Sequence, residues 1–544
     1  MTSSGDDTSG LDGGVKLARS TDRARSDAPS SSGHEAAAAA NSADAAKSAD
    51  AAGVRCLRLG LREGMELLPA GEGCFRLQSF FGSLILKNIT PGIREALTAL
   101  TDGGATVDSL SDTVLEADGG PALARLYYYL DQLGGFCALT HTAMDGETPI
   151  ATIIATGRGY RFTPRPIEAA RLYQLSRFAL MRREQDKLLL ESPLGHGQVV
   201  LHDGRASALM AMLIEPRKAA DLAAILPQLE PEAVDGCIQL LLNAEALTGY
   251  ASGTSMSDED NDPALLTWAT HDLLFHTRSR FGRHTGWFGA SFRHAGRIPP
   301  APAVKAKPEG ETIVLYRPDM RAVTRTDPPL AAVMEARKSV YQYDLRPITA
   351  KQLGEFLYRV ARVREQASTI VEGPDGHAVT MEVTGRPYPN GGRSYDLELY
   401  LVVDRCDGLD SGLYHYDPLG HRLTRLRQRD EYVEALLHYV TVAARGTQPQ
   451  LLIVMASRFQ RVSWKYDAIA YATTLKHVGV LFQSMYLVAT AMGLAPCALG
   501  SGDAELFAAA AGTDYRTETS VGEFMLGSAP ATLEGQEDDA AIAT

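Results

Sequence analysis

Cysteine is scarce in this sequence and shows no paired spacing. Six thiols occur in 544 residues, at Cys56, Cys74, Cys137, Cys237, Cys406 and Cys497, with no C-x-x-C. That excludes a zinc ribbon and a disulfide scaffold and suits a reducing cytoplasm. A basic excess is missing too: 53 Lys and Arg stand against 66 Asp and Glu, a formal net charge of −13. A protein that coats nucleic acid needs a basic face, so that class is disfavoured. No apolar run is long enough for a bilayer; the most apolar stretch, 467–493, is interrupted by Lys476, His477, Gln483 and Ser484. Residues 1–52 contain no aromatic side chain and no apolar core of a signal peptide. A disordered tail is expected over 1–54 and another over the Ala-, Glu- and Asp-rich 530–544.

What remains is ordinary globular composition, 45% apolar and 22% charged, enough for three or four domains at about 150 residues each. The expected boundaries are 55–165 and 166–250 for two similar units, 251–311 for a linker and connecting segment, and 312–529 for a larger domain. In the first unit an apolar run (Phe80, Phe81, Leu84, Ile85, Leu86) precedes helices near 93–100 and 123–133. The second offers a strand at 188–190 and helices near 206–213, 219–226 and 234–242. Ungapped alignment pairs Ala96 with Ala208, Leu97 with Leu209, Leu100 with Met212, Leu126 with Ile238 and Leu130 with Leu242. The two segments are either a weak repeat of winged-helix-like units or two unrelated amphipathic stretches.

After the connector the pattern changes. A strand is expected at 312–316 and a short helix at 330–337. Thr349 and Gln352 have the spacing of a capping box, opening a helix that carries Leu353, Phe356, Leu357 and Val360. Apolar strands are expected at 397–403 and 451–456. The long helix 467–493 carries Ala468, Tyr471, Leu475, Val478, Phe482, Met485, Ala489 and Met492 at spacings of three and four. That is one apolar stripe, and Ile469, Val480, Leu481 and Val488 occupy the other side.

Four short pieces have chemical potential. Arg337, Lys338 and Ser339 leave the end of the 330–337 helix with a guanidinium fork, a point charge and a hydroxyl, a set suited to a phosphate monoester, although basic residues at a helix C-terminus also simply complement its dipole. Pro389-Asn390-Gly391-Gly392 precedes a strand, and its glycines let backbone amides approach a flat ligand, as they also serve a plain turn. Lys465-Tyr466, after Trp464, places an amine and a phenol beside an apolar element, where burial disfavours the charged amine. Cys497-Ala498-Leu499-Gly500 follows the long helix without the Rossmann fingerprint, and Cys497 reads as core. His271, His276, Arg278, Arg280, Arg283 and His284 cluster without metal-binding spacing.

The order of these pieces resembles the nitroreductase-like flavoproteins, and more closely their SagB-type branch of FMN-dependent peptide dehydrogenases. The resemblance continues through Val478-Gly479-Val480-Leu481, Met485-Tyr486-Leu487-Val488 and Ser520-Val521-Gly522-Glu523-Phe524. It implies an α+β fold: a mixed sheet flanked by helices binding FMN, preceded by the two winged-helix-like units. It further implies a flavin phosphate near Arg337, Lys338 and Ser339, and Leu499 and Gly500 at the flavin edge. Pro389, Asn390, Gly391 and Gly392 would lie against a flavin in the other subunit of a homodimer. Lys465 or Tyr466 takes the place of the base that removes the Cα proton of a thiazoline or oxazoline while hydride passes to flavin N5. The expected partners are an azoline-containing precursor peptide and a cyclodehydratase, with no metal, nucleic acid or membrane. A leader peptide bound by the N-terminal units and a purely structural platform both remain open there. So do two other functions: a small-molecule flavin reductase and a non-catalytic peptide-binding scaffold. Asn390 departs from the serine common in relatives, Tyr341 stands where relatives are often basic, and no basic pair follows Gly527.

Overall fold

The computed structural model describes residues 57–530, apart from 72, 80–81, 158, 252 and 284–285. The expected tails, Cys56, Phe80, Phe81 and His284 lie outside the described residues. The described chain forms two compact units. One gathers the residues up to Ile153 with 162–173 and 200–243; the other gathers 154–161, 174–199 and everything from Ala244 on.

In the first unit β1 (Leu57–Leu61) pairs antiparallel with β2 (Leu139–Asp145). Between them come α1 (Pro91–Thr101), α2 (Val107–Asp118) and α3 (Pro121–Gly135). Their inward residues, among them Ile93, Leu97, Leu110, Val114, Leu126 and Leu133, make a single core. The helix α2 had no sequence-based expectation, because V-D-S-L-S-D-T-V is rich in poor helix formers. It is held by tertiary packing of Leu110 and Val114 and by Thr106, whose side chain accepts from the Ser109 N–H. Farther along the same unit lie α4 (Gly204–Met212), α5 (Ala219–Ile225) and α6 (Pro231–Asn243), at the three expected positions.

The second unit is built on a seven-stranded sheet. Its strands are β3 (Thr312–Val314), β4 (Leu397–Val403), β5 (Gly412–Asp417), β6 (Arg422–Gln428), β7 (Leu451–Arg458), β8 (Leu494–Leu499) and β9 (Glu518–Ser528), in the order β3-β6-β5-β4-β7-β9-β8. Every pairing is antiparallel, which corrects the mixed sheet expected from the resemblance. Hairpin and return connections within this chain bring each strand back against its neighbour in the opposite sense.

All residues of β4 and β7 are buried, and because successive side chains point to opposite faces, burial of both faces explains why the two strands are apolar along most of their length. Leu397, Leu399, Leu401, Leu451, Ile453 and Met455 face one core, and Tyr400, Val402, Leu452, Val454 and Ala456 face the other. The first core is covered by α7 (Ala350–Ala361) and α9 (Ala470–Ala491), the second by α8 (Glu431–Ala443) and α10 (Ala504–Ala511). Helix α7 begins at the expected capping box, Thr349 with Gln352. It buries Leu353, Phe356, Leu357 and Val360, each worth about 1.5–3 kcal/mol. Truncation of Phe356 to alanine would cost about 3–5 kcal/mol.

Helix α9 starts three residues later than expected. Tyr466–Asp467 is spent in a short antiparallel pairing with Gly289–Ala290, and Ala468 turns the chain in the left-handed region at φ 62°. The stripe on α9 is also only partly covered: Val478, Met485 and Ala489 are buried, whereas Tyr471 is 48% and Leu475 38% exposed. Among the described residues no helix is long and apolar enough to cross a membrane, and no cluster of His, Cys, Asp and Glu is arranged to hold a metal ion.

Candidate active site

The four sequence pieces fold into two clusters at different levels of α9. At its N-terminal end, the loop between a hairpin (Glu365–Glu372 with Ala378–Gly385) and β4 brings Gly391 and Gly392 against Lys465 and Tyr466. Lys465 Nζ donates to the Gly392 carbonyl at 3.1 Å. A side chain on Gly392 would overlap both Lys465 Nζ and the Tyr466 hydroxyl. Gly392 sits at φ 58°, with Arg393 and Tyr395 also in the left-handed region, so the loop is strained where it meets the lysine.

Below the loop lies a polar relay that sequence reasoning missed. The Gly391 N–H donates to His477 Nε2 at 2.8 Å, and His477 Nδ1 lies 2.7 Å from Asp396 Oδ1. The second carboxylate oxygen of Asp396 accepts from Ser457 at 2.7 Å and Thr474 at 2.9 Å. Asp396, Ser457, Thr474 and His477 are all buried. Burial alone would raise the Asp396 pKa, but the His477 hydrogen bond, with those from the two hydroxyls, holds it below the usual carboxylate range. A signal existed in the sequence. Thr474 and His477 stand three residues apart on the inward face of a helix that otherwise buries apolar residues such as Val478, Leu481 and Met485, and Asp396 directly precedes a mostly apolar strand. Asn390 is also absorbed locally: its Oδ1 accepts from Tyr395 N at 2.8 Å.

The electrostatics separate lysine from tyrosine. Burial lowers the Lys465 pKa, with the neighbouring Arg461 charge adding to it, while Nζ lies 5.5 Å from the centroid of the Phe292 ring and 5.3 Å from that of Tyr466. Burial raises the pKa of Tyr466, so its hydroxyl keeps its proton. Arg461, buried and donating to the backbone oxygens of Ser394, Ala301 and Glu382, has its own pKa pushed down to about 10 by burial and by Arg458 and Arg386.

The other cluster lies beside the C-terminal half of α9. Ser339 shares a 2.8 Å hydrogen bond with the Tyr486 hydroxyl, which accepts from Ala498 N at 2.7 Å. The Arg337 guanidinium lies 5.2 Å from the centre of the Tyr486 ring. Arg337, Lys338 and Ser339 are half-buried, and neither cation has a carboxylate partner among the described residues. Leu499 ends β8 and Gly500 follows it. Cys497 is fully buried here, its pKa raised by burial. Tyr486 is nine positions beyond His477, about 13 Å along the helix axis. One chain therefore joins Gly391 and Gly392 to Lys465 and Tyr466, and Arg337 and Ser339 to the β8 end, but does not join the two sets to each other.

Of the His and Arg cluster, Arg278 pairs with the buried Glu191 at 2.8 Å, and Arg182 meets the same carboxylate at 3.2 Å. This part of the cluster is ion-paired.

Comparison with known proteins finds three matching families along the chain. The ThcOx helix turn helix domain matches residues 54–163, cyanobactin oxidase ThcOx matches 173–285, and the nitroreductase family matches 334–528. A Methanocaldococcus jannaschii protein with a nitroreductase name is 26% identical over 192 residues, 35% of this chain and 86% of its own length. The trifolitoxin-processing protein TfxB of Rhizobium leguminosarum bv. trifolii is 27% identical over 124 residues, 21% of this chain and 33% of its own. The microcin B17-processing protein McbC of Escherichia coli is 28% identical over 115 residues, 20% of this chain and 42% of its own.

Proposed function

This chain belongs to the cyanobactin oxidase ThcOx and nitroreductase family, and from that premise we propose that it oxidises thiazoline or oxazoline rings of a ribosomally made peptide to azoles. The observation that carries the reading is the contact of Lys465 with the Gly391–Gly392 loop: an amine with a depressed pKa, held by a backbone carbonyl beside a phenol that stays protonated. Lys465 is the base for the azoline Cα proton, which the ring C=N and the adjacent carbonyl acidify. Tyr466 is a hydrogen-bond donor next to it.

The cofactor is FMN, which supplies hydride acceptance from the ring carbon. The residues fit it. Arg337 and Lys338 are half-buried cations with no carboxylate partner among the described residues, and Ser339 adds a hydroxyl, a set matched to a phosphate. Gly391 and Gly392 pack against Thr473, His477, Lys465 and Tyr466, so what the loop brings beside the amine is backbone. Leu499 and Gly500 close the edge, while Pro389 and Asn390 shape the loop.

Two separated half-sites on one chain support a homodimer in which each active site takes the Arg337 cluster from one subunit and the Lys465 cluster from its partner. The half-exposed Tyr471 and Leu475 on α9 suit such an interface. The precursor peptide is the substrate, a cyclodehydratase supplies its azolines, and the helix-turn-helix region recognises its leader.

The test is mass spectrometry of an azoline peptide incubated with FMN-loaded protein. Loss of two hydrogens per ring supports the reading. A protein that takes up FMN and consumes NAD(P)H but leaves the peptide mass unchanged is a small-molecule reductase instead. A folded protein that takes up no FMN is a scaffold.

A further inference from the structure

The Asp396–His477 pair uses every polar atom it has on the loop and its footing. A backbone N–H can only donate, so the Gly391 contact at 2.8 Å requires an unprotonated Nε2. The imidazole proton then resides on Nδ1 and is donated to Asp396 at 2.7 Å. Asp396 is locked in turn by Ser457 from β7 and Thr474 from α9. The line of hydrogen bonds runs from the sheet through Asp396 and His477 to the Gly391 amide, and one residue later from the Gly392 carbonyl to Lys465 Nζ. There is little slack in it. A side chain on Gly391 would lie 3.0 Å from Thr473 Cγ2 and 3.1 Å from His477 Nε2, so the loop rests directly on the imidazole.

We propose that Asp396 and His477 are positioning residues for the oxidation, a buried dyad that fixes the Gly391–Gly392 backbone and thereby sets where the Lys465 amine stands. This rests on the reading of Lys465 as the base, and it assigns a task to two buried residues. The dyad matters because the loop backbone is strained. Gly392, Arg393 and Tyr395 are all left-handed, and a strained loop relaxes unless its surroundings over-determine it. Without an acceptor at Nε2 the Gly391 amide is left unpaired, the loop shifts, and the amine loses its carbonyl partner.

Two substitutions separate positioning from bulk. His477→Phe keeps the ring volume and removes the acceptor; His477→Gln keeps an acceptor that reaches the Gly391 amide. In FMN-loaded enzyme acting on an azoline peptide, His477→Phe is expected to lower kcat about 100-fold with KM within about 2-fold, and His477→Gln to recover about tenfold of that loss. FMN bound per chain stays at the wild-type level in both. The proposal is overturned if His477→Phe turns over at the wild-type rate, if it loses FMN, or if His477→Gln is no better than His477→Phe.

Should His477→Phe fail to fold, nitrogen NMR of the imidazoles in the unaltered protein decides. An unprotonated Nε2 and a protonated Nδ1 on His477 at neutral pH support the dyad, and a protonated Nε2 contradicts it. Wild-type protein that leaves azoline peptides intact would defeat the reading of the reaction, while the imidazole measurement would still judge the dyad.

Discussion

Lys465 Nζ stands 3.1 Å from the carbonyl oxygen of Gly392, and the space it occupies exists because Gly392 has no side chain. The amine and the glycine are 73 residues apart in sequence. Their contact converts two weak motifs, a Pro-Asn-Gly-Gly turn and a Lys-Tyr pair, into one site.

Gly392→Ala tests that contact. The added methyl overlaps Lys465 Nζ and the Tyr466 hydroxyl, and φ 58° is unfavourable for alanine. The expected result is a loss of kcat/KM of about 100-fold or more, against a stability cost of only about 1–2 kcal/mol. Steady-state kinetics alongside a thermal melt separate the two effects.

The depressed Lys465 pKa sets the sign of a pH dependence. The amine works as a base only when unprotonated, so the rate rises with pH and levels off once the amine has lost its proton. Because burial and Arg461 lower its pKa, that limb is expected below the ordinary lysine value of about 10.4. Tyr466→Phe should retain the limb, since the Tyr466 hydroxyl stays protonated in the wild type. A limb that disappears in Tyr466→Phe would move the base to the tyrosine. The profile of kcat/KM against pH reads this.

The buried Glu398 makes a prediction about stability rather than rate. Burial raises its pKa, but the Arg458 charge, the His415 hydrogen bond and charge, and the Arg386 charge outweigh it and bring the carboxyl down to about 2. Arg458 Nε stands 2.9 Å from it. A folded-state pKa below the unfolded one means stability that is fully present above about pH 4.3 and is lost as pH falls toward about 2, on the order of 3 kcal/mol. Urea unfolding between pH 5 and 2 should show that slope. Glu398→Gln should flatten it while lowering stability throughout, because Arg458 is left buried beside a neutral partner.

The shared site predicts complementation. A Lys465→Ala chain and an Arg337→Glu chain are each expected to be inactive alone. A mixed dimer rebuilds one complete site from the intact Arg337 cluster of one chain and the intact Lys465 of the other. Random mixing should therefore restore about a quarter of wild-type sites. Activity of co-expressed, doubly tagged mixtures measures it; no recovery would mean that each chain carries its whole site.

The helices and strands were legible wherever periodicity was strong. The capping box at Thr349, the mostly apolar β4 and β7, and the helix through Val478 and Met485 lie where the pattern put them. Helix α2 escaped because its stability comes from tertiary packing that no local propensity records. The antiparallel sense of the sheet escaped because a doubly buried strand reads the same in either direction. In the candidate site the pieces were visible but their grouping was not. Nothing in the spacing says that Gly392 meets Lys465 while Arg337 meets Tyr486. Asp396 and His477 were overlooked because a buried polar pair looks, in a sequence, like a flaw in an apolar face.

The most direct test of the account compares wild type with Lys465→Ala, both loaded with FMN, on the same azoline peptide followed by mass spectrometry. The wild-type protein is expected to remove two hydrogens per ring, and Lys465→Ala, with equal FMN content, to leave the mass unchanged. Oxidation by Lys465→Ala at the wild-type rate would contradict the account.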